Sequence, residues 1–434
     1  MKKRSTLNKL AGRTVFYIIV VGIAFIILLP IYFILSISFM SDQEAYDWPL
    51  NMYPTFTNSF KLEESRTIED GYLLSIYSNA QQKYVTIFDG EDVDEILHYT
   101  KNKTNCNISE DLFMEKADEV KIISEKNNEE ISNFVTQIDD INNEIRKLNS
   151  SLTKLRKNLK LVQDQESMQD MKVKFENDIT EQEAEKESLE LQLSKLQSDL
   201  EGINSVNFSV FKNIFANYIT FFQVTADSLG ALFRSIQVAL LTVLISLTIG
   251  GMAGYAFARY MFRGKNALKL SVLFVRMFPG IAIAMPMVII LANMGFYDRP
   301  IGLSFVYSVG QIGLTTWITA SVFMGIPVEL EEAAMVFGGS KFTAFVRVTF
   351  PLALPGLAAS ALYSFIGSWN ETAQAIVLTQ FNPTFPVVVY QTMVGAKGMV
   401  NLVAAGGVAM ALPAVIFTLI IRRYILQMWG GVTV

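Results

Sequence analysis

The chain has 434 residues, 51% of them hydrophobic and 18% charged, with 41 acidic against 36 basic side chains and a formal charge of −5. That balance leaves no basic footprint for nucleic acid. A single cysteine and a single histidine exclude an internal disulfide and a histidine-based metal site, and no Gly-x-x-x-x-Gly-Lys-Ser/Thr run supplies a phosphate loop.

An apolar chain interrupted by one long hydrophilic block reads as an integral membrane protein with a soluble insert. The first apolar segment, residues 15–38, follows Lys2, Lys3, Arg4, Lys9 and Arg13. Its 24 residues exceed a signal-peptide core and carry no small-residue cleavage site behind them, so it is expected to be an uncleaved first span. Residues 1–60 thus cover the N-terminus, this span and the start of an external loop. Residues 61–109 mix apolar and polar side chains, with strand-like runs at 72–77 and 84–88 and a turn at Asp89-Gly90, which fits a small β unit.

Periodicity is clearest in residues 110–205. Ile131, Phe134, Ile138, Ile141, Ile145, Leu148, Leu152, Leu155, Leu159 and Val162 alternate by three and four residues, the spacing of a coiled-coil seam. After a polar break at 163–167, a second seam runs through Phe175, Ile179, Leu189, Leu193, Leu196, Leu200 and Ile203, with Gln182 and Lys186 interrupting it. Two seams joined by a short turn predict an antiparallel coiled-coil hairpin, about 55 Å long at helical rise. Residues 110–204 hold 23 acidic and 13 basic side chains, so the acid excess lies in this arm. Either it is an ordinary solvated surface, or the arm contacts a partner.

Five further spans are predicted at 232–257, 268–294, 301–324, 352–369 and 403–421, within a membrane core of 206–434. The N-terminus, Arg259/Arg263/Lys265/Lys269, Lys341/Arg347 and Arg422/Arg423 then share one face, which the positive-inside rule makes cytoplasmic. Both termini lie inside and residues 39–230 outside. The fold class is therefore an all-α membrane protein of six spans, with the coiled-coil hairpin inserted between spans one and two. In the third span, Arg276 either faces a cavity or partner, or snorkels to the interface. Pro279, Gly280 and Pro286 free backbone groups there, which suits a cavity-lining helix. Trp369, Asn370 and Glu371 combine an aromatic plate with hydrogen-bonding groups, as sugar recognition requires; the alternative is an interfacial aromatic belt.

Between spans four and five, a loop covering 327–355 reads as a short helix, residues 328–337. Pro327 opens it and Gly338-Gly339 stops it, while Glu329, Glu331 and Glu332 occupy its first turn. Its spacing resembles the EAA loop of permease subunits in binding-protein-dependent ABC importers. Glu332-Ala333-Ala334 is followed by Gly338, then after nine residues by Val348 and by Phe350-Pro351. The family usually has Asp-Gly-Ala where this chain has Phe337-Gly338-Gly339.

Residues 14–60 and 231–434 also resemble the maltose-type permease subunit of carbohydrate importers. The resemblance is carried by Gly254-Tyr255-Ala256-Phe257-Ala258-Arg259, Phe262-Arg263-Gly264, Met277-Phe278-Pro279-Gly280, Trp369-Asn370 and Leu412-Pro413. The insert lies outside that pattern, and the usual Lys-Gly ending is absent.

The resemblance implies a transport subunit rather than an enzyme. It implies a second permease, a dimer of ABC ATPases that binds ATP-Mg, a solute-binding protein and surrounding lipid. This chain would bind no cofactor. Glu331, Glu332, Ala333, Ala334, Phe337, Gly338 and Gly339 would couple to the ATPase, with Glu332 as polar anchor and Gly338 as turn; Arg276, Trp369, Asn370 and Glu371 would lie along the substrate pathway. Other cargoes (glycerol phosphate, a polyamine, a peptide) remain open, as does a sensor or adhesion protein. The sensor reading lacks a cytoplasmic output domain, since the longest inner segment is about 27 residues.

Overall fold

The computed structural model describes residues 2–49, 51–65, 68, 70–162, 169–395 and 399–430. The chain divides into two compact units, one of residues 1–40 and 215–434 and the other of residues 41–214.

Helix α1 (Lys2–Phe39) opens the first unit; the most apolar part of its stretch Arg13–Phe39 holds no buried residue, whereas Ser36 and Ser38 near its end are buried. The second unit follows. After α2 (Asp42–Tyr46) come three strands, β1 (Thr57–Glu64), β2 (Tyr72–Ser78) and β3 (Lys83–Gly90). Helices α3 (Val93–Thr104), α4 (Glu110–Lys126), α5 (Asn128–Val162) and α6 (Gln169–Ile203) precede the last strand, β4 (Ser205–Phe211).

The four strands form an antiparallel sheet ordered β3-β2-β1-β4, with Phe60 opposite Ile76 and Phe208. The alternation of a strand turns Phe60 and Leu62 to one face, with Leu74 and Ile76 beside them. There they pack with Ile96 of α3 and with Phe113, Ala117 and Val120 of α4. The chain is therefore mostly helical rather than all-α. The β unit also extends beyond the expected 61–109: β4 closes it from the far side of the long helices.

Helix α4, counted from sequence in the arm, belongs instead to the core of this sheet, since Phe113, Ala117 and Val120 are fully buried. Burying a side chain such as Phe113 contributes about 1.5–3 kcal/mol. Beyond it, α5 and α6 run side by side in opposite directions, with Arg156 Nη2 2.7 Å from Glu183 Oε1. Ile138, Leu152 and Leu200 are buried between them, whereas Leu191 is 74% exposed. The polar break expected at 163–167 lies outside the described residues.

Buried polar groups also hold this unit together. Lys212 Nζ donates to Glu44 Oε2 at 2.5 Å, and Glu44 closes a capping box with Ser41 at the start of α2. Asn58 Nδ2 donates to Cys106 Sγ at 3.4 Å, and burial pushes the free Cys106 thiol up from its usual range. A thiol so placed packs as a small apolar group.

The first unit resumes with α7 (Ala216–Val224), whose Asn217 side chain donates to the Ser38 and Met40 carbonyls at 2.9 and 2.6 Å, closing the end of α1. Then come α8 (Ser228–Arg259), α9 (Lys265–Phe274), α10 (Gly280–Asn293), α11 (Pro300–Met324), α12 (Glu329–Val336), α13 (Lys341–Ala344), α14 (Phe350–Trp369), α15 (Ala373–Leu378), α16 (Phe385–Gly395) and α17 (Val400–Gly430). Among the described residues, five helices are long and apolar enough to cross a membrane, or six if one bent pair counts as a span.

That pair is the expected third span, 268–294. It is no single straight helix: Lys265–Met277 and Gly280–Asn293 meet at 91°. Pro279 carries no N–H and forces the preceding Phe278 to an extended backbone, with ψ 132°, so the helical ladder ends there. Neither half spans a bilayer alone, at about 1.5 Å per residue.

Helices α8 and α11 approach closely through small residues. Gly250 and Gly254 of α8 face Thr315, Thr319 and Ala320 of α11, and Thr319 Oγ1 donates to the Gly250 carbonyl at 3.1 Å. Between α14 and α17, helices α15 and α16 replace what the sequence leaves as a connection. Asp298 steadies the turn between them, accepting the Gln380, Phe381 and Asn382 backbone N–H groups at 2.9–3.1 Å.

Candidate functional site

Helix α12 stands between α11 and α14. Proline at position 327 precedes it, and its last turn closes on Gly338 at φ +88°, a left-handed conformation that glycine adopts without strain. Gly339 sits so close to its own helix that an added Cβ would lie 2.7 Å from the Ala334 carbonyl oxygen.

The two glutamates of the motif point opposite ways. Glu332 and Ala333 are exposed, and beside them Val336 (84%), Phe337 (91%) and Phe342 (76%) leave a bare apolar edge. Ala334 is half-buried. Glu331, expected from sequence to share the contact with an ATPase, is turned inward and 7% exposed. Its Oε1 accepts from Arg259 Nε at 2.7 Å and from Thr349 Oγ1 at 2.7 Å, and its Oε2 from the Tyr255 hydroxyl at 2.8 Å.

Arg259 in turn donates to the Phe323 carbonyl in the last turn of α11 at 2.8 Å and to the Ile326 carbonyl just beyond it at 3.1 Å. Tyr255 is wedged edge-on against Phe345 and Phe323, at ring separations of 4.8 and 5.4 Å. Thr349 closes a π-helical turn, Phe345–Thr349, that leads into α14. The cluster joins α8, α11, α12 and that turn.

Burial alone would raise the Glu331 carboxyl, but donation from Thr349, Tyr255 and Arg259 outweighs it and holds the group below its usual range. Its stabilisation is therefore present above the ordinary carboxylate range and is lost as pH falls through the lowered value.

A second feature occurs at the bend between α9 and α10. Arg276, in the 3-10 turn Val275–Met277, donates to the Tyr363 hydroxyl and lies 5.1 Å over that ring. With Glu371, Tyr307, Gln311 and Gln374 it lines a cavity of about 180 Å³. Glu371 Oε1 accepts from the Gln374 backbone N–H at 3.1 Å, and the Tyr307 hydroxyl donates to the Glu371 carbonyl at 3.2 Å.

Trp369 does not join them. It is 1% exposed, stacks on Phe365 at 5.8 Å and donates its indole N–H to the Met410 carbonyl at 2.9 Å, so it packs α14 against α17 and offers no plate to a ligand. Asn370 is exposed at the end of α14, outside the cavity lining. Sequence reasoning missed Gln311 and Gln374; a glutamine midway along the apolar run of α11 was the available signal for the first.

A family model described as "Binding-protein-dependent transport system inner membrane component" matches residues 213–428. The chain is 34% identical over 216 residues to the trehalose transport system permease protein SugB of Mycobacterium tuberculosis, covering 49% of this chain and 78% of that protein. It is 30% identical over 225 residues to the trehalose/maltose transport system permease protein MalG of Thermococcus litoralis, covering 50% and 80%. Likeness to the maltodextrin transport system permease protein MdxG of Bacillus subtilis is 28% over 208 residues, covering 46% and 73%. The chain is thus a multi-pass membrane protein and belongs to the family of inner membrane permease components of binding-protein-dependent ABC transport systems.

Proposed function

We propose that this chain is one of two permease subunits in an ATP-driven importer of a sugar or oligosaccharide. The observation that carries the coupling half of this reading is α12. One side of the helix is held to the helical bundle through Glu331, and the other presents Glu332 beside the bare Val336-Phe337 edge. A short helix with an exposed acid and exposed apolar groups suits a cleft in a soluble ATPase. Closure of an ATPase dimer around ATP-Mg would then shift α12 and switch the pathway between inward- and outward-facing. The sugar cargo is supported by the trehalose, maltose and maltodextrin names of the relatives.

In this reading the chain crosses the plasma membrane six times, with α9 and α10 together making the third passage. Both termini lie inside, and residues 39–230 outside. The exposed apolar faces meet lipid and the second permease. Arg276 and Glu371 border the substrate pathway through the cavity at the bend. Helices α5 and α6 form a coiled-coil arm that contacts the solute-binding protein or the second permease. The Lys-Gly ending from which a tail contact with the ATPase would follow is absent, and residues 431–434 lie outside the described residues.

Gentle purification from the native membrane followed by mass spectrometry is expected to recover an ATPase, a second permease and a sugar-binding protein. Recovery without any ATPase would overturn the reading, and a binding protein specific for a polyamine, peptide or glycerol phosphate would replace the cargo. For the arm, the structure sets the boundary of the test. Removing residues 128–203 and bridging 127 to 204 with a short Gly/Ser linker keeps α4 in its sheet, whereas a cut from 110 would strip Phe113, Ala117 and Val120 from the core. The shortened protein is expected to assemble and to need a higher concentration of loaded binding protein for half-maximal uptake. Unchanged uptake kinetics would leave the arm without a role in capture.

A further inference from the structure

We propose that Glu331 and Arg259 are positioning residues for transport: their buried pair is the joint that makes α12 move as one body with the ends of α8 and α11. The inference rests on the coupling reading above and assigns to Glu331 a task distinct from that of Glu332.

The geometry is that of a closed hub. The Arg259 and Glu331 side chains are 7% and 9% exposed. Among the described contacts, each of the three Arg259 nitrogens has an acceptor on a different residue: Nε on Glu331, Nη1 on the Phe323 carbonyl and Nη2 on the Ile326 carbonyl. Glu331 takes donors from three residues in turn, Arg259, Thr349 and Tyr255.

A guanidinium holds such a fork rigidly, which a lysine ammonium cannot reproduce. Both charges are paired and hydrogen-bonded, so their burial is tolerated, whereas removal of either leaves an uncompensated charge inside the fold. The stiffness has a mechanical consequence. The segment between α11 and α12 is a short stretch at Gly325–Val328, and the segment after α12 passes through the Gly338-Gly339 turn; both would bend if α12 were pushed alone. The hub bypasses them, because α12 is tied to α8 by the Glu331–Arg259 pair, through Arg259 to the Phe323 carbonyl of α11, and through Thr349 to the turn that enters α14. A displacement applied at the exposed face therefore reaches three membrane helices together instead of being absorbed by loops.

The test uses the complete reconstituted importer with its ATPase and binding protein, and reads substrate taken up per ATP hydrolysed. Glu331→Gln is expected to lower that ratio about tenfold, within the range of coupling between linked sites, with ATP hydrolysis continuing. Arg259→Lys is expected to do the same, since charge without the fork does not rescue. Thr349→Val, which removes one donor without changing volume, is the milder variant and is expected to lower the ratio about threefold, and it decides the matter if the others fail to assemble. An unchanged ratio in an assembled Glu331→Gln or Thr349→Val importer overturns the proposal. Glu332→Lys separates the two levels: if it uncouples while Glu331→Gln does not, only the joint is wrong, and if neither uncouples, the coupling reading itself fails.

Discussion

Reversing the charge at Glu332 with Glu332→Lys is expected to lower substrate uptake by at least about tenfold while the chain still folds and enters the membrane. Glu332 is exposed and its side chain makes no hydrogen bond or ion pair among the described residues, in contrast to Glu331 one residue earlier. Its loss therefore costs the fold little, whereas a reversed charge set against a desolvated polar partner costs about 2–5 kcal/mol. On the proposed coupling reading the effect belongs to a joint with the ATPase, and it is read as uptake into proteoliposomes alongside recovery of the assembled complex. Normal uptake by the assembled variant would remove Glu332 from that joint.

A second large effect is expected at the contact of α8 with α11. A Cβ at Gly254 would meet the Ala320 backbone nitrogen at 2.8 Å, and backbone cannot step aside as a side chain can. Gly254→Leu should force the two helices apart, at a cost of about 1–3 kcal/mol or more from overpacking, and the yield of folded protein in detergent should fall sharply. Gly251→Ala is the internal control. It lies on the same helix with nothing within 4 Å of its would-be Cβ, so it should be neutral or slightly stabilising through better helix propensity. Equal yields of Gly254→Leu and the unaltered protein would mean that the α8–α11 contact is looser than described. The lesion also separates from that at Glu332, since one variant is lost before assembly and the other after it.

Legibility in the sequence followed the range of the forces involved. The apolar runs of α1, α8, α11 and α17 declare themselves because a bilayer selects on local composition over some twenty residues. The heptad spacing of α5 and α6 is local in the same sense. Of their seam positions, Ile138, Leu152 and Leu200 are buried, and Lys186, at a seam position, is partly shielded while its Nζ reaches Glu190 at 3.4 Å. The Pro327 and Gly338 punctuation around α12 needs only its own few residues.

The site was less legible. Trp369 looked like a ligand plate because an aromatic beside Asn370 and Glu371 carries the same letters in either role, and only the Phe365 and Met410 neighbours decide that it is core. The bend at Phe278-Pro279 was visible as a proline, but its 91° angle depends on how α9 and α10 pack separately.

By itself, then, the sequence determined that the chain is a membrane protein with a long helical insert, where most of its apolar helices run, and where the short helix α12 begins and ends, because composition and periodicity act within one element. Only the tertiary structure decided that β4 returns to pair with β1 across the whole insert, that α4 belongs to the sheet and not to the arm, and that two adjacent glutamates serve opposite faces of α12. Each of these turns on a partner far away in the chain: Phe208 for Phe60, Phe113 for Tyr72, Arg259 for Glu331. Long-range pairing is set by the free energy of burying groups together, and that quantity has no period to read along a single strand of letters.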